Sequence, residues 1–128
     1  MALGLSSTVA NALLDALGNA TNYTAPTAVW IKLHTADPGA AGTSNAATET
    51  TRKQASFAAA SGGSMATDAA ISWTNIAGSQ DATHFSAWDA STSGNFLFSG
   101  TITANAYTAG DTYTVASGAA TVSLNTAA

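Results

Sequence analysis

Two histidines, His34 and His84, are the only imidazoles in the chain. His34 stands just before Asp37. With Ser6, Ser7 or one of many threonines as nucleophile, that pair would supply the base and orienting carboxylate of an acyl-transfer triad. Serine is so abundant here that its nearness to a histidine carries no information. A triad is recognised by geometry, not by composition. The simpler reading places His34 at a strand end, bonded to the backbone of the Asp37-Pro38-Gly39 turn. Both histidines with Asp37, Asp81 or Asp89 would match a two-histidine, one-carboxylate metal site. No short ligand motif accompanies them. Asp68, Asp81, Asp89 and Asp111 offer oxygens for calcium, but none lies in a dense acidic loop. Each reads as a turn residue. Glu49 is the only glutamate, so paired-glutamate glycosidase chemistry is absent, and only an aspartate pair is formally open. The residues point to no catalytic set, no metal and no cofactor, and the expectation is a protein that is not an enzyme.

Aromatic residues give a second kind of chemistry. Trp30, Trp73 and Trp88, with Tyr23, Tyr107 and Tyr113, could stack on sugar rings. Aromatics also supply most core and interface area. Trp30 and Trp88 alternate with Ile31 and with Phe85 and Ala87, which makes them candidates for an exposed or subunit-facing surface. Core packing accounts for at least two of the three tryptophans.

The elements that must position these residues are short. Val29, Ile31 and Leu33 alternate with Trp30, Lys32 and His34, so the first set can line a core. Asp37-Pro38-Gly39 ends that strand as a turn, with Gly39 at a positive backbone angle. Residues 6–18 read as a helix, capped by Ser6 or Ser7 and closed by Gly18 in the left-handed conformation. Val9, Leu13 and Leu17 form its apolar stripe, widened by Leu14. That stripe must rest on the sheet or on a neighbouring subunit, and residues 1–5 can extend the contact through Leu3 and Leu5. Residues 40–51 have no hydrophobic period and read as a long surface loop.

Further short strands follow around 52–57, 69–73, 83–89, 96–103, 112–115 and 121–124, separated by turn residues. Phe96-Leu97-Phe98 suggests a strand covered on both faces. Gly100 inside that run suggests a bulge. The pattern predicts one mainly β domain over 1–128: an antiparallel sandwich or jelly roll across 28–124, with one short N-terminal helix.

Composition narrows the function classes. The chain has 128 residues and no cysteine, so a core forms without disulfides or cysteine-held metal. Only 8% of residues are charged, against about 25% in an average domain. With 46% hydrophobic residues, the low charge does not mean disorder. The remaining surface is Ala, Thr, Ser, Asn and Gly, which is cheap to desolvate against other proteins. A net charge of −4 and a single adjacent basic pair, Arg52-Lys53, argue against nucleic-acid binding. No apolar run is long enough for a membrane span. The start lacks the basic and apolar segments of a signal peptide.

Several segments in order carry a resemblance. They are Leu33-His34-Thr35-Ala36-Asp37-Pro38-Gly39, then 52–64, then Thr83-His84-Phe85-Ser86-Ala87-Trp88-Asp89-Ala90, then Gly94-Asn95-Phe96-Leu97-Phe98-Ser99-Gly100, and Ala109-Gly110-Asp111-Thr112. Together they resemble small virion proteins of tailed bacteriophages, labelled tail fibre, minor tail or head decoration proteins. The resemblance implies a structural virion component assembled in the bacterial host cytoplasm. It makes His34, Asp37, Pro38 and Gly39 architectural turn residues and offers no catalytic residues.

A compact, low-charge domain without heptads favours a capsid decoration protein that stabilises the assembled shell. Its partners would be the major capsid protein or other virion proteins, and copies of itself around symmetry axes. The alternative is a tail-associated fibre or tail-tip protein that touches a host-surface glycan through the 40–51 loop or exposed aromatics. Val9, Leu13, Leu17, Trp30 and Trp88 are the candidate interface residues.

Overall fold

Alternation sets the sheet. The computed structural model describes residues 3–103 and 106–127. Met1 and Ala2, part of the expected extension of the helix contact, lie outside the described residues. The elements are α1 (Ser7–Gly18), β1 (Val29–His34), β2 (Lys53–Ala55), β3 (Ser64–Ala66), β4 (Ile71–Trp73), β5 (Gln80–Asp81), β6 (His84–Trp88), β7 (Phe96–Ile102), β8 (Ala106–Tyr107), β9 (Tyr113–Val115) and β10 (Ala120–Ser123). Strand makes up 35% of the structure and helix 10%, with antiparallel sheets curled into a half-barrel. The mainly β expectation with one N-terminal helix holds. β3, β5 and β8 add to the strands read from sequence.

The main sheet runs β2-β1-β6-β7-β10-β3, and the pairs β4-β9 and β5-β8 stand apart from it. Ile31 pairs with Ala87, and Leu33 with Phe85. These residues share the core face with Phe98, Ile102, Ala120 and Val122. Trp73, Tyr113 and Val115 of the β4-β9 pair belong to the same core. Phe85 meets Phe98 edge-on, with ring centroids 6.1 Å apart, a favoured aromatic geometry. Phe57 packs edge-on against Phe98 at 5.6 Å.

The bulge lies elsewhere than expected. Ala87 pairs with Phe98 and Trp88 with Phe96, so Leu97 is the extra residue. Gly100 pairs regularly with Phe85. Its role is close approach: a Cβ there would lie 1.9 Å from the Thr121 carbonyl and 2.8 Å from the Phe85 ring.

At the helix start, the Ser6 hydroxyl accepts the Val9 N–H at 3.2 Å, a standard N-cap. Ser6 also donates its own N–H to the Leu97 carbonyl, which ties the helix start to β7. The C-terminus differs from the sequence reading. Gly18 stays helical, and Asn19 closes the helix by donating its side-chain amide to the Asp15 carboxylate at 3.0 Å. The left-handed residue is Ala20, with φ 51°.

Gly100→Ala should therefore destabilise the fold by about 3 kcal/mol or more, as overpacking into backbone does. Gly118→Ala meets no atom within 4 Å but has φ +82°, so its cost should stay at about 1–2 kcal/mol. Chemical denaturation of both variants checks the order. Equal losses would refute the close-packed Gly100.

Candidate functional site

His34 ends β1, and its ring lies on the face opposite Leu33. Pairing of Lys32 with Ser86 and of His34 with His84 sets Ser86 diagonally beside it. That face is buried as well: His34 and Ser86 are both fully inaccessible. The 40–51 segment covers them. Thr35 N–H reaches the Asn45 carbonyl, and Ala47 N–H reaches the Leu33 carbonyl.

The hydrogen bonds assign the tautomer. His34 Nδ1–H donates to the Ser44 carbonyl at 2.7 Å, because a carbonyl can only accept. Nε2 therefore carries the lone pair and accepts from the Ser86 hydroxyl at 2.7 Å. Ser86 Oγ in turn accepts the Trp88 indole N–H at 2.8 Å. The relay runs Trp88 to Ser86 to His34 to Ser44, with every donor matched.

The expected bond from His34 to the Asp37-Pro38-Gly39 backbone is corrected: the acceptor is Ser44, whose own N–H reaches the Pro38 carbonyl at 2.8 Å. Asp37 serves the turn, its carboxylate accepting the Gly39 N–H at 2.8 Å. Gly39 takes φ +78°, the conformation expected of it.

A serine bonded to a histidine is the geometry of an activated nucleophile. The serine is Ser86, not Ser6 or Ser7, and two features work against that use. No solvent reaches Ser86. The group that orients His34 is a neutral carbonyl, with no charge to stabilise the imidazolium that proton transfer creates.

The histidines face each other across β1 and β6, which linear spacing concealed. His84 Nδ1 lies 2.7 Å from Thr83 Oγ1, and that hydroxyl donates to the Thr35 carbonyl at 2.9 Å. Among the described residues, no group of three His, Asp or Glu side chains could hold a metal ion.

Several carboxylates bind backbone instead. Asp89 takes the Asn95 N–H at 2.7 Å, and Asp111 the Thr108 N–H at 3.1 Å. Glu49 accepts from Ala77 N–H at 3.0 Å and Thr51 N–H at 3.1 Å. Burial pushes its pKa up, and these donors overcome that and hold it below the ordinary value. The 40–51 segment is the surface loop read from sequence, with most of its residues exposed, and it is clamped where Ala47 and Glu49 are buried.

Trp88 corrects the surface reading. It is only 9% exposed, because Phe96 packs beside it at 5.5 Å and the Arg52 guanidinium lies 4.1 Å over its ring. Arg52 is fixed there by the Ala90 and Ser93 carbonyls. Trp73 is buried too, with its N–H on the Thr51 carbonyl at 2.8 Å. Trp30 is half-buried.

The helix residues divide. Val9 packs against the core, and Leu13 is half-buried. Leu17 is 86% exposed, Leu14 64% and Leu124 50%. Sequence reasoning missed Leu124 as a neighbour of the helix, since nothing local joins a C-terminal strand end to it.

The relay makes stability depend on pH. Burial lowers the His34 pKa, Lys32 adds to the effect, and the Ser44 carbonyl opposes it. The unfolded chain therefore takes up this proton before the folded chain does. The His34 contribution is complete above about pH 6.5 and is lost as the pH falls from there toward the lower folded value. Melting temperature should fall between about pH 7 and pH 5. His34→Gln should cost about 1–3 kcal/mol at neutral pH, as orphaned buried partners do, and should flatten that slope. An unchanged slope in the variant would show that His34 is not the titrating group.

The described geometry is that of a half-barrel β scaffold with an apolar helix flank. The family model described as Podophage GP4 fiber I protein gp80 matches residues 4–123. No curated protein gives a significant match. The chain belongs to this phage fiber protein family and is a structural protein of the bacteriophage virion.

Proposed function

We propose that this chain is a fibre component of the virion that works by contact and performs no catalysis. The observation that carries the reading is the family match over 4–123. The closed Ser86–His34 pair supports it, because the best nucleophile geometry is sealed from substrate. The 8% charge content supports it as well: a weakly hydrated surface loses little when packed against other virion proteins. In a tail fibre, the outward surface would meet a host-surface glycan, and half-buried Trp30 and Tyr23 are the aromatics placed to stack on a sugar ring.

Capsid decoration keeps one observation in its favour. Among the described residues there is one short helix and no long repeat, so the shaft of an extended fibre is not evident in this chain. Its partner would then be the major capsid protein.

Copy number separates the two. Electron microscopy of virions carrying a gold-labelled chain should find a few copies on projecting fibres. Hundreds of copies spread over the head would overturn the fibre reading in favour of decoration. Purified chain mixed with host cell-wall polymer and surface polysaccharide should release no reducing ends. Release that disappears in Ser86→Ala, with folding intact by circular dichroism, would overturn the non-catalytic reading.

A further inference from the structure

An open pocket of about 250 Å³ lies between α1, the segment leading into β1 and the turn that joins β6 to β7. Val9 and Leu97 give it an apolar wall, and half-buried Tyr23 adds an aromatic ring. Asp89 and Asn95 form its polar corner, and Asp89 is the only charged residue in the described lining.

That corner is built and held. Asp89 Oδ1 accepts the Asn95 backbone N–H at 2.7 Å, and Oδ2 accepts the Asn95 side-chain amide at 2.9 Å. Asp37 and Asp111 close their turns through a backbone N–H. Asp89 binds a side chain as well, which sets an amide beside its carboxylate. Gly94 makes room for this: at φ +77°, a Cβ there would run into the Asp89 carboxylate. Arg52 pins the same turn through the Ala90 and Ser93 carbonyls. A polar pair fixed in advance loses little freedom on binding.

The geometry points to a monosaccharide site: one neutral pyranose ring of a host-surface polysaccharide, its C–H face on Tyr23 and two neighbouring hydroxyls on Asp89 and Asn95. The inference rests on the fibre reading with its glycan partner. Within that reading it selects Tyr23 over Trp30, which does not line this pocket.

The chemistry matches a sugar at both ends. A pyranose gathers C–H bonds on a face and hydroxyls around its edge. An aromatic ring takes the face. A carboxylate has about four lone-pair sites, and a side-chain amide has two N–H donors and an acceptor oxygen. The two bonds between Asp89 and Asn95 use fewer than these, so adjacent hydroxyls find both acceptors and a donor. The Asn95 donors, with Arg52 adding its charge against the cost of burial, hold the Asp89 carboxyl below its ordinary pKa. It is therefore an acceptor at neutral pH.

Size and charge narrow the class. The volume falls below the roughly 300–1,000 Å³ of drug-sized pockets, which suits one ring of roughly a dozen heavy atoms. An acidic sugar would set its carboxylate against Asp89. A lysine side chain is the rival ligand, but the nearby Arg52 charge already offsets that of Asp89.

The probes are purified surface polysaccharide of the host bacterium and the methyl pyranosides of glucose, galactose, mannose, rhamnose and N-acetylglucosamine. Glucuronic acid is the acidic control, and a lysine-rich peptide the cationic one. Calorimetry should show the polysaccharide binding. Saturation-transfer NMR should show at least one neutral pyranoside binding with a Kd of about 1–10 mM, as a single ring allows. Tyr23→Ala and Asp89→Asn should each weaken both by tenfold or more, and Tyr23→Phe and Trp30→Leu by less than twofold. Tyr23→Ala leaves the 89–95 turn untouched, so it decides the matter where Asp89→Asn lowers the melting temperature. Absence of binding to either probe would overturn the inference. So would tighter binding of glucuronic acid or the peptide, or wild-type binding in Tyr23→Ala. Failure of the pocket leaves the fibre reading standing if labelled chains still map to fibres. Labelled chains on the head would sink that reading whatever the pocket binds.

Discussion

The relay through His34 is the interaction on which the rest of the structure depends. Where the second face of the sheet is covered, around His34 and Ser86, polar side chains lie out of water. An unpaired buried polar group costs about 1–3 kcal/mol. Trp88, Ser86, His34 and the Ser44 carbonyl solve the problem as one neutral chain of donors and acceptors. The solution joins β1, β6 and the 40–51 segment at a single point. It also explains why a residue type associated with catalysis and metals sits where neither substrate nor ion can reach.

Charge is used sparingly, and mostly against backbone. Asp37, Asp89 and Asp111 each close a turn by accepting a main-chain N–H. Glu49 clamps two segments, and Arg52 binds two carbonyls while covering Trp88. Such hydrogen bonds to charged groups are stronger than neutral ones. They spend the few charged residues on internal order and leave much of the outside to small neutral side chains. A surface of that kind is weakly hydrated, which suits a protein that lives among neighbours in a virion.

The helix shows the same division between architecture and contact. Ser6 anchors its start to β7 through a cap and a backbone bond, and Val9 meets the core. Leu13 is half-buried, while Leu14 and Leu17 stay exposed. An isolated helix of twelve residues is marginal in water, so those few ties hold it in place. The family relationship over 4–123 includes this helix as well as the sheet.

The sequence by itself determined the mainly β class, the helix, most of the strands and the turn at Gly39, because each rests on local periodicity or on the steric needs of one residue. The tight fit at Gly100 was visible only as a glycine out of place in a strand. Its reason, the Phe85 ring and the Thr121 carbonyl, comes from two other strands. Pairing decided that His34 meets Ser86 and Ser44 and not Asp37, and that the two histidines are neighbours. Alternation put Trp88 on the second face of the sheet. Only the tertiary structure, by laying Arg52 and Phe96 over it, made that face an interior. The helix stripe was legible as apolar, but which half is covered depends on how the helix seats on β7. A periodic pattern records that a face must be buried; what buries it is decided by residues far away in the chain.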